Sequence, residues 1–464
     1  MQFEVTEIDG EKALIIRRGD ETFTIGATCT HYGGPLEEGI VVGDTIRCPW
    51  HHACFDLRTG EAVRAPALAP LKVFGAPASP PAGPPPSSAA KSVAIIGAGA
   101  AGTAAADMLR RRGFAGTIAM FGTEPPVDRP NLSKEYLAGH APEEWLPLPL
   151  PADVELQTRR VTALDAKTKT LTLDDGATRA FDAILIATGA DPIRLPIAGA
   201  DKPHVHVLRT LADSRAIIAR AEKGRRACII GAGFIGLEVA ASLRAREVDV
   251  EVIAPEAIPL ARIMGDEVGR FVQRLHEAHG VRFRLGATIK SIDEIDADFV
   301  VIGAGVRPNT QFAETAGLKV DNGIVVDEML ETSAPGIYAA GDVARFLDRF
   351  SGRAIRVEHW AVAETQGQTA ARNILGARAP HAVPPFFWSV HYEVTINYVG
   401  NAAGWERAEV HGSLDERRAL VAYRIGERIA AVATIGMDRL SLEAEVAMEK
   451  NDHEELERIV ATSS

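Results

Sequence analysis

Hydrophobic and polar positions alternate in two different ways along this chain. In residues 1–74, short runs such as FEVTEI, KALIIRR and TFTI are typical of β-strands, and Gly and Pro separate them without a convincing helical stretch. Beyond residue 90, apolar strands are followed by Gly-rich turns and amphipathic helices, which is the alternation of a doubly wound parallel sheet. We therefore predict a small all-β module followed by a larger α/β body.

Two further regions differ from both patterns. Residues 75–90 read GAPASPPAGPPPSSAA, a composition that cannot build a core and predicts an extended linker. From about residue 384, FFWSVHY, INYVG, ALVAYRI and IAAVATI predict strands, whereas LSLEAEVAMEKN and HEELERIV predict helices. The end of the chain is therefore expected to be a separate α+β domain.

The α/β body contains an internal duplication. KSVAIIGAGAAGTAAADMLRRRG and RRACIIGAGFIGLEVAASLRARE are visibly related, so one nucleotide-binding unit occurs twice. A further strand-like segment, GIYAAGDVA, follows the second copy, which indicates that this copy is inserted within the first domain. The predicted units are the all-β module (1–74), the linker (75–90), the first dinucleotide domain (91–208 and 330–380), the second (209–329) and the C-terminal domain (381–464).

Composition and charge narrow the possible partners and compartment. The formal net charge is -12 without a basic block, so we expect neither nucleic acid nor an anionic membrane as a partner. The first residues lack a signal peptide pattern, and no run of about 18 apolar residues occurs, so a cytoplasmic protein is expected. In that compartment the four cysteines are interpreted as metal ligands or reactive groups before disulfides.

Each copy of the duplicated unit carries a G-x-G-x-x-G fingerprint after its strand. The first glycine permits a tight turn, the second lets the backbone approach a pyrophosphate, and the third allows close helix–strand packing. A carboxylate after the next strand is placed to bind ribose hydroxyls. The residues are Gly97, Gly99, Gly102 and Glu124 in the first copy, and Gly231, Gly233, Gly236 and Glu256 in the second. Two such sites predict two dinucleotides, a flavin and a nicotinamide, between which electrons pass.

Several stretches together resemble the two-dinucleotide-domain flavoprotein reductases, in the branch that contains ferredoxin reductases of oxygenase systems and apoptosis-inducing-factor-like proteins. The resemblance covers roughly residues 91–464. It is carried by DRPNLSKEYL (128–137), ILIATG (184–189), VIGAGVRPN (301–309), GIYAAGDVA (336–344) and VEHWAVAETQG (357–367).

This resemblance implies roles for particular residues. Asp342 would bind the FAD ribityl or pyrophosphate region, Arg129 and Lys134 would lie beside the flavin, and Glu238 would lie near the nicotinamide. Lys134 and Glu238 are the catalytic candidates, because a buried pair neutralises itself and the ammonium stabilises negative charge on a reduced flavin. The alternatives are that Lys134 is a solvated surface cation and that Glu238 is an exposed helix carboxylate. Gly305 and Trp360 complete the predicted cofactor-binding set, and Trp388 is a second candidate aromatic wall.

The chain departs from this family at two places that concern the ribose sites. Val127 stands where a Tyr is common, which weakens the assignment of Glu124. Ala254 stands where relatives that prefer NADH tend to carry an acid; Glu256 can replace it, or Arg262 can approach a 2′-phosphate. We expect NADH in preference to NADPH.

The all-β module contains the pattern C-x-H-x16-C-x2-H. Its residues are Cys29, His31, Cys48 and His51, so that each loop contributes one sulfur and one imidazole. This suits a binuclear cluster in which one iron takes both thiolates and the other takes both neutral histidines. A single zinc ion is the main alternative, although structural zinc sites usually draw C-x2-4-C or H-x3-5-H pairs. The other alternative is a degenerate module that binds no cluster.

The loops CTHYGG and CPWHHACFDLRTGE resemble Rieske-type ferredoxin domains, which implies a [2Fe-2S] cluster. Gly34 and Trp50 stand where high-potential relatives carry a disulfide, so the resemblance implies the lower-potential type. His52 follows His51 and leaves open which of the two faces the metal, although spacing favours His51. Cys54 and Cys228 are expected in the core.

Together these features predict a Rieske-fused oxidoreductase that passes electrons from NAD(P)H through FAD to a [2Fe-2S] cluster. The expected acceptor is a redox protein such as an oxygenase component, and the protein is expected to be a monomer or a homodimer. A second hypothesis keeps the flavin but makes a quinone or oxygen the acceptor. A third makes the protein a redox-sensing interaction module whose reduced state changes its partner binding.

Overall fold

The computed structural model describes residues 1–75 and 88–463 of the chain. Residues 76–87, which form most of the linker predicted at 75–90, lie outside the described part.

The first unit is an all-β module, as the alternation of its sequence predicts. β1, β2 and β3 form one antiparallel sheet, and β4 to β7 form a second antiparallel sheet in chain order. Leu14, Ile46 and Phe55 are fully buried in its core. The strands are β1 (Gln2–Ile8), β2 (Glu11–Arg18), β3 (Glu21–Gly26), β4 (Ile40–Val42), β5 (Thr45–Arg47), β6 (Cys54–Asp56) and β7 (Ala62–Arg64).

The chain then enters the first dinucleotide domain, where apolar strands alternate with helices. Strands such as AILI in β14 are apolar throughout because both faces of a parallel sheet are covered. The elements are β8 (Ser92–Ile96), α1 (Ala100–Arg111), β9 (Thr117–Gly122), α2 (Glu135–Ala138), β10 (Glu155–Thr158), β11 (Val161–Asp165), β12 (Thr170–Leu173), β13 (Thr178–Ala180), β14 (Ala183–Ile186) and β15 (Ala190–Pro192).

The second dinucleotide domain has its own parallel sheet, in the order β16-β20-β17-β18-β19. Its elements are β16 (Val205–Val207), α3 (Leu211–Ile218), β17 (Arg226–Ile230), α4 (Phe234–Ala245), β18 (Asp249–Ala254), α5 (Ala261–Ala278), β19 (Arg282–Leu285), β20 (Phe299–Ile302) and β21 (Val306–Pro308). The next helix, α6 (Gln311–Thr315), already belongs to the first domain, because it packs against β11.

The chain returns to the first domain after this insertion. The returning strand β23 pairs with β14 and completes a parallel sheet in the order β10-β9-β8-β14-β23, while α7 packs beside α1. The returning elements are β22 (Ile324–Val325), β23 (Ile337–Ala339), β24 (Ala344–Asp348), β25 (Arg353–Ile355) and α7 (Trp360–Ile374). Short 3₁₀ turns lie at Leu36–Glu38, Pro130–Ser133, Glu143–Trp145, Ile292–Glu294 and Gly341–Val343.

The C-terminal domain is an antiparallel sheet in the order β26-β27-β30-β29-β28, with two helices on one face. The opposite face packs against α5, where Met264 and Phe271 contact the cluster that contains Ile396 and Tyr423. Its elements are β26 (Phe386–His391), β27 (Val394–Gly400), β28 (Arg407–Ser413), β29 (Arg418–Ile425), β30 (Arg428–Ile435), α8 (Asp438–Glu449) and α9 (His453–Ala461).

The structure moves two of the predicted domain boundaries. Val205–Val207, assigned from the sequence to the first domain (91–208), pairs into the second sheet. At the other end, Ala313, Leu318 and Ile324 belong to the core of the first domain although the sequence assigned 209–329 to the second. The chain therefore passes from the first domain to the second before residue 205 and returns near residue 310. Strand pairing defines the first position, and core contacts define the second.

Membrane insertion through a helix was not expected from the sequence. Within residues 1–75 and 88–463, none of the helices is long and apolar enough to span a bilayer.

Candidate functional site

Two loops at one end of the all-β module bring the four predicted metal ligands together. The first loop follows β3, and Cys29 N–H donates to the Gly34 carbonyl at 2.9 Å. The second follows β5, and Cys48 N–H donates to the Ala53 carbonyl at 2.9 Å. A Cβ on Gly34 would lie 2.7 Å from Cys48 Sγ, so the loops approach closely enough to require glycine there.

The four side chains are arranged as two like pairs. His31 Nδ1 and His51 Nδ1 lie 3.2 Å apart, and the Cys29 and Cys48 thiols are hydrogen-bonded partners. The hydrogen bond from Cys48 lowers the pKa of Cys29, and the same contact together with burial raises the pKa of Cys48. Burial lowers the pKa of His31 to about 3, so its ring is neutral, as a metal ligand must be.

This pairing fits a binuclear [2Fe-2S] cluster, in which one iron takes two thiolates and the other takes two imidazoles. A single zinc ion would instead need all four donors around one point. The donors are instead paired by kind, imidazole with imidazole and thiol with thiol.

The structure separates His51 from its neighbour His52. His51 faces His31, whereas His52 adopts a left-handed backbone with φ 63° and turns the other way. The His52 ring stacks on Phe386 with centroids 3.9 Å apart, and its Nδ1 lies 3.2 Å from Glu445 Oε1. His52 therefore contacts the C-terminal domain and does not join the ligand group.

The two other cysteines are buried outside the ligand group, as expected. Cys54 is 4 % exposed and Cys228 is 1 % exposed, and neither forms a disulfide. Burial raises the pKa of both thiols, that of Cys228 to about 12.

The first glycine fingerprint forms a tight strand–helix turn between β8 and α1. Gly97 has φ 120°, and a Cβ there would lie 2.1 Å from the Ala187 carbonyl oxygen. A Cβ on Gly102 would lie 2.0 Å from the Gly97 carbonyl oxygen. Gly99, in contrast, faces a cavity, where its nearest neighbour is the Arg129 guanidinium.

The second fingerprint repeats this geometry between β17 and α4. A Cβ on Gly231 would clash with the Gly303 carbonyl at 2.4 Å, and one on Gly236 would clash with the Gly231 carbonyl at 2.2 Å. Gly233 meets no atom within 4 Å and lines the same cavity as Gly99. The two fingerprints therefore open on one shared cavity of about 500 Å³.

Two arginines and the N-terminus of α1 meet beside the first glycine fingerprint. Arg129 and Arg209 both line the cavity, and burial together with the nearby Arg209 lowers the pKa of Arg129. Arg129 donates to Glu124 at 2.9 Å, and Arg209 donates to Asp342 at 2.7 Å. With the N-terminus of α1 beside them, these groups fit the pyrophosphate of a dinucleotide. Arg209 was not singled out from the sequence.

Lys134 and Glu238 meet at the junction of the two dinucleotide domains. Lys134 Nζ donates to Glu238 Oε2 at 2.8 Å, and their side chains are 13 % and 5 % exposed. Ser133 Oγ also donates to Oε2 at 2.6 Å, while Ser389 Oγ donates to Oε1 at 2.6 Å. The pair is buried and lines the cavity, so neither solvated alternative applies. No motif in the sequence points to either serine.

The remaining predicted residues divide between the cavity and the surface. Gly305 and Arg262 line the cavity, and Gly305 has φ 93°. Glu256 lies beyond the end of β18 and is exposed, and only its backbone carbonyl has an assigned partner, the Gly286 N–H. Arg262 is also exposed. The structure thus brings Arg262 to the cavity, whereas Glu256 lies outside its lining.

Trp360 and Trp388 line the cavity as the two predicted aromatic walls, beside Phe387. Trp388 also contacts the all-β module, because its ring lies 4.2 Å from that of His51 and 6.1 Å from that of His31 between centroids. One side chain therefore separates the cavity from a predicted cluster ligand.

Polar contacts reinforce this junction. Tyr32, stacked on His31 at 3.8 Å, donates a hydrogen bond to Asp128, which begins the segment that carries Arg129. Burial, followed by the charge of Asp128, raises the pKa of Tyr32. Burial likewise raises the pKa of Asp128.

A group of largely buried polar side chains joins the module to α8 and is here termed the docking clamp: Arg47, His52, Arg64, Glu445 and Glu449. Arg64 Nη2 lies 2.6 Å from Glu445 Oε2, and Arg47 Nη2 lies 2.7 Å from Glu449 Oε2. Glu445 is 2 % exposed in its side chain. Burial opposes its ionisation, but Arg64, His52 and Arg47 outweigh burial and lower the pKa of Glu445.

Comparison with protein families agrees with this geometry. Residues 91–367 match the family model of the pyridine nucleotide-disulphide oxidoreductases, and residues 2–75 match that of the Rieske [2Fe-2S] domain.

Individual relatives match over most of their length. The chain is 31 % identical to apoptosis-inducing factor 3 of Homo sapiens, over 94 % of this chain and 80 % of that protein. It is 36 % identical to the ferredoxin–NAD(+) reductase component of the anthranilate 1,2-dioxygenase system of Burkholderia cepacia, over 74 % of this chain and 91 % of that protein. Among solved structures, the covalent putidaredoxin reductase–putidaredoxin complex matches with a TM-score of 0.74 at 32 % identity, over 80 % of this chain and 99 % of that chain.

Proposed function

The chain belongs to the pyridine nucleotide-disulphide oxidoreductase family and carries a Rieske domain before the family region, and on that premise we propose that it is an internal electron relay. It is a ferredoxin reductase-like oxidoreductase that uses NAD(P)H, FAD and a [2Fe-2S] cluster. In the proposed route, electrons pass from NAD(P)H through FAD to the cluster and then to a redox partner.

The observation that carries this proposal is the contact between His51 and Trp388. Trp388 lines the cavity shared by the two glycine fingerprints, and its ring lies 4.2 Å from the His51 imidazole. His51 is one of the four predicted cluster ligands. A flavin held in the cavity and a cluster held by the module would therefore be separated by one aromatic side chain.

The cofactors supply the redox chemistry, because a flavin accepts a hydride and releases electrons singly while the cluster takes one at a time. The protein residues bind and orient them. Cys29 and Cys48 would hold one iron, and His31 and His51 the other. Lys134, which pairs with Glu238, would stabilise negative charge in the cavity.

The docking clamp supports transfer within one chain. Its arginines are almost fully covered, and the charges of Glu445 and Glu449 neutralise them. Removal of one partner from such a buried pair costs about 3–5 kcal/mol, because the other charge then stays buried without a counter-charge, so these pairs favour the one docked orientation in which every charge is matched.

We propose a redox protein as the external acceptor, since the matched Burkholderia cepacia relative is named as a reductase component of a dioxygenase system. His51 is 8 % exposed in the docked module, so a protein partner reaches this ligand only after the module has left the clamp. The predicted linker of residues 75–90 would keep the released module at a high local concentration. We propose NADH as the donor, with Glu256 at the outer ribose end.

Anaerobic mixing of the purified protein with NADH tests the relay. The flavin absorbance should bleach first, and the cluster absorbance and the electron paramagnetic resonance signal of a reduced Rieske centre should follow. Bleaching of the flavin without any reduction of the cluster would contradict the proposal.

Burial of His51 against Trp388 also favours a second function, in which the cluster stores electrons and a quinone or oxygen takes them from the flavin. Deletion of residues 1–90 discriminates the two. Reduction of a protein acceptor should be lost under the relay, whereas reduction of a quinone should persist under the second function.

A further inference from the structure

One face of α7 contacts the all-β module at a place separate from the docking clamp. Arg372 Nη2 donates to the Val63 carbonyl at 2.9 Å. Gln368 Oε1 accepts from the Ala65 N–H at 3.1 Å. Glu364 lies one turn before Gln368, and side chains spaced by four residues share one face of a helix. Glu364, Gln368 and Arg372 are termed the α7 stripe.

The module covers the first member of this stripe, Glu364. The pKa of Tyr32, in the first ligand loop, is raised by burial, by Asp128 and by the charge of Glu364, so the Tyr32 and Glu364 side chains are near neighbours at the junction. Gln368, one turn further along the same face, contacts the module directly. Glu364 is 1 % exposed in this arrangement, and departure of the module would open it to water.

The Glu364 carboxyl has no counter-charge in the docked structure. Its Oε2 is buried without a hydrogen-bond partner, and so is Oδ1 of the neighbouring Asp128. Lys134, whose charge acts on Asp128, is already paired with Glu238. Within residues 1–75 and 88–463, no cation pairs with Glu364. A carboxylate buried in this way is strongly disfavoured, and the group takes up a proton instead.

The electrostatic surroundings of Glu364 agree with a neutral carboxyl. Burial, followed by the charge of Asp128, raises the pKa of Glu364, and a hydrogen bond with Trp360 opposes this shift. On β26, which packs against α7, His391 is neutral because burial lowers its pKa to about 3. The other charged groups on elements packed against α7 act on one another: Asp107, Arg111, Arg112 and Arg372 where α1 meets α7, and Asp342 with Arg209 in the turn after β23.

Of the two neighbouring acids, Glu364 is the one that holds the proton. Asp128 accepts hydrogen bonds from the Tyr32 hydroxyl and from Asn131, and it faces the charge of Lys134. All three interactions favour its ionised form. Glu364 has no comparable set of donors, and the negative charge of Asp128 beside it favours the protonated acid.

We propose that the α7 stripe is a second docking surface, which binds the module only when Glu364 carries a proton. The inference rests on the proposed release of the module to a redox partner. In the docked state the carboxyl is neutral in a buried contact. When the module leaves, water solvates the carboxyl, which ionises and gives its proton to water. One proton leaves with each release, and one returns when the module docks again.

Docking on this surface therefore weakens as the pH rises. The pKa of Glu364 is raised in the docked state, whereas that of an exposed glutamate is about 4.3. Docking is strongest below the released value and weakens about tenfold per pH unit above it, until the docked pKa is reached. The docking clamp does not oppose this trend, because the pKa of Glu445 is lowered and its charge persists over the same range.

Hydrogen–deuterium exchange of the oxidised holoprotein, without NADH, tests this proposal at the Ala65 amide. That N–H donates to Gln368 only while the module is docked, so its protection from exchange follows the docking equilibrium. In the wild type, protection corrected for the intrinsic effect of pH on exchange should fall about tenfold per unit between pH 5 and 7. E364Q keeps the shape of the side chain but cannot ionise, so its protection should not change over this range.

Two controls separate Glu364 from general effects of charge and of unfolding. E443Q removes an exposed carboxylate on α8 that pairs with Arg439, and it should keep the wild-type slope. Amides of β2, the central strand of the first sheet of the module, report unfolding of the module itself and should lack this slope.

Infrared absorption reads the proton on Glu364 directly. The difference spectrum between wild type and E364Q at pH 6 should contain the carbonyl band of a protonated carboxylic acid. Carboxylate bands in its place, a constant protection of Ala65 in the wild type, or the same slope in wild type and E364Q would each overturn the proposal. Failure of NADH to reduce the cluster would contradict only the relay, because neither measurement uses electron transfer.

Discussion

The His51 imidazole and the Trp388 indole are in contact across the junction between the all-β module and the C-terminal domain, with ring centroids 4.2 Å apart. Trp388 comes from strand β26, and its other side lines the cavity on which both glycine fingerprints open. This relationship makes the proposed electron path short only while the module is docked.

Replacement of Trp388 should slow reduction of the cluster more than reduction of the flavin. W388F keeps an aromatic ring and should stay close to the wild type, whereas W388A opens a gap between the cavity and His51. Truncation of a buried Trp also costs about 3–5 kcal/mol of stability, so unfolding must be measured beside the rates. Stopped-flow absorbance under anaerobic conditions measures both reductions.

W405F is the matched control, because Trp405 belongs to the same domain but packs against Tyr423, away from the module. Equal slowing of flavin and cluster reduction in W388A would show that Trp388 acts on cofactor binding alone.

Neutralising the two glutamates of the docking clamp should weaken docking of the all-β module. In the variant E445Q/E449Q, Arg47 and Arg64 lose their counter-charges in a buried setting, and we expect docking to weaken by about 3–5 kcal/mol. Small-angle X-ray scattering should show a more extended particle, and cluster reduction by NADH should slow.

E443Q is the control for a general effect of removing negative charge from α8. Glu443 pairs with Arg439 on the exposed face of that helix, where such pairs contribute about 0.2–1 kcal/mol. An unchanged particle size in E445Q/E449Q would mean that the clamp does not hold the module.

His51 should be required for cluster binding, whereas the adjacent His52 should not. H51A removes an imidazole that faces His31, so the purified protein should lose most of its iron and acid-labile sulfide. H52A removes a ring that contacts Phe386 and Glu445, so it should retain the cluster and lose docking. Iron and sulfide analysis distinguishes them, and full loss of iron in H52A with retention in H51A would reverse the assignment.

Removal of the Lys134 charge should slow the reduction of the flavin by NADH. K134M leaves Glu238 without its cation, and the loss of one group that stabilises developing charge lowers rates by about 10²–10³-fold. The control K202M removes an exposed lysine that pairs with Asp293. An unaffected flavin reduction rate in K134M would exclude a role for this pair in hydride transfer.

Local patterns explain what could be predicted from the sequence. Gly97 and Gly231 were identified because a strand, a positive-φ turn and a helix follow one another within a few residues. The ligand spacing likewise identified Cys29 and Cys48. The strand Arg407–Ser413 was missed because RAEVHGS lacks an apolar run and is held by pairing with β29.

Long-range contacts explain what could not be predicted. Arg209 reaches Asp342 across 133 residues, and Ser389 reaches Glu238 across 151 residues, so no spacing in the sequence relates them. The spacing alone also could not separate His51 from His52, because the left-handed backbone at His52 decides which ring turns toward His31. Docking of the module depends on Glu445 and Glu449, which in the sequence are ordinary helix carboxylates.

The most direct test of the internal relay is the concentration dependence of cluster reduction. Holoprotein is mixed anaerobically with NADH over a wide range of protein concentrations, and the cluster signal is followed by freeze-quench electron paramagnetic resonance. Transfer within one chain predicts a first-order rate that does not change with protein concentration. A rate that rises in proportion to protein concentration, or a cluster that stays oxidised while the flavin is reduced, would contradict it.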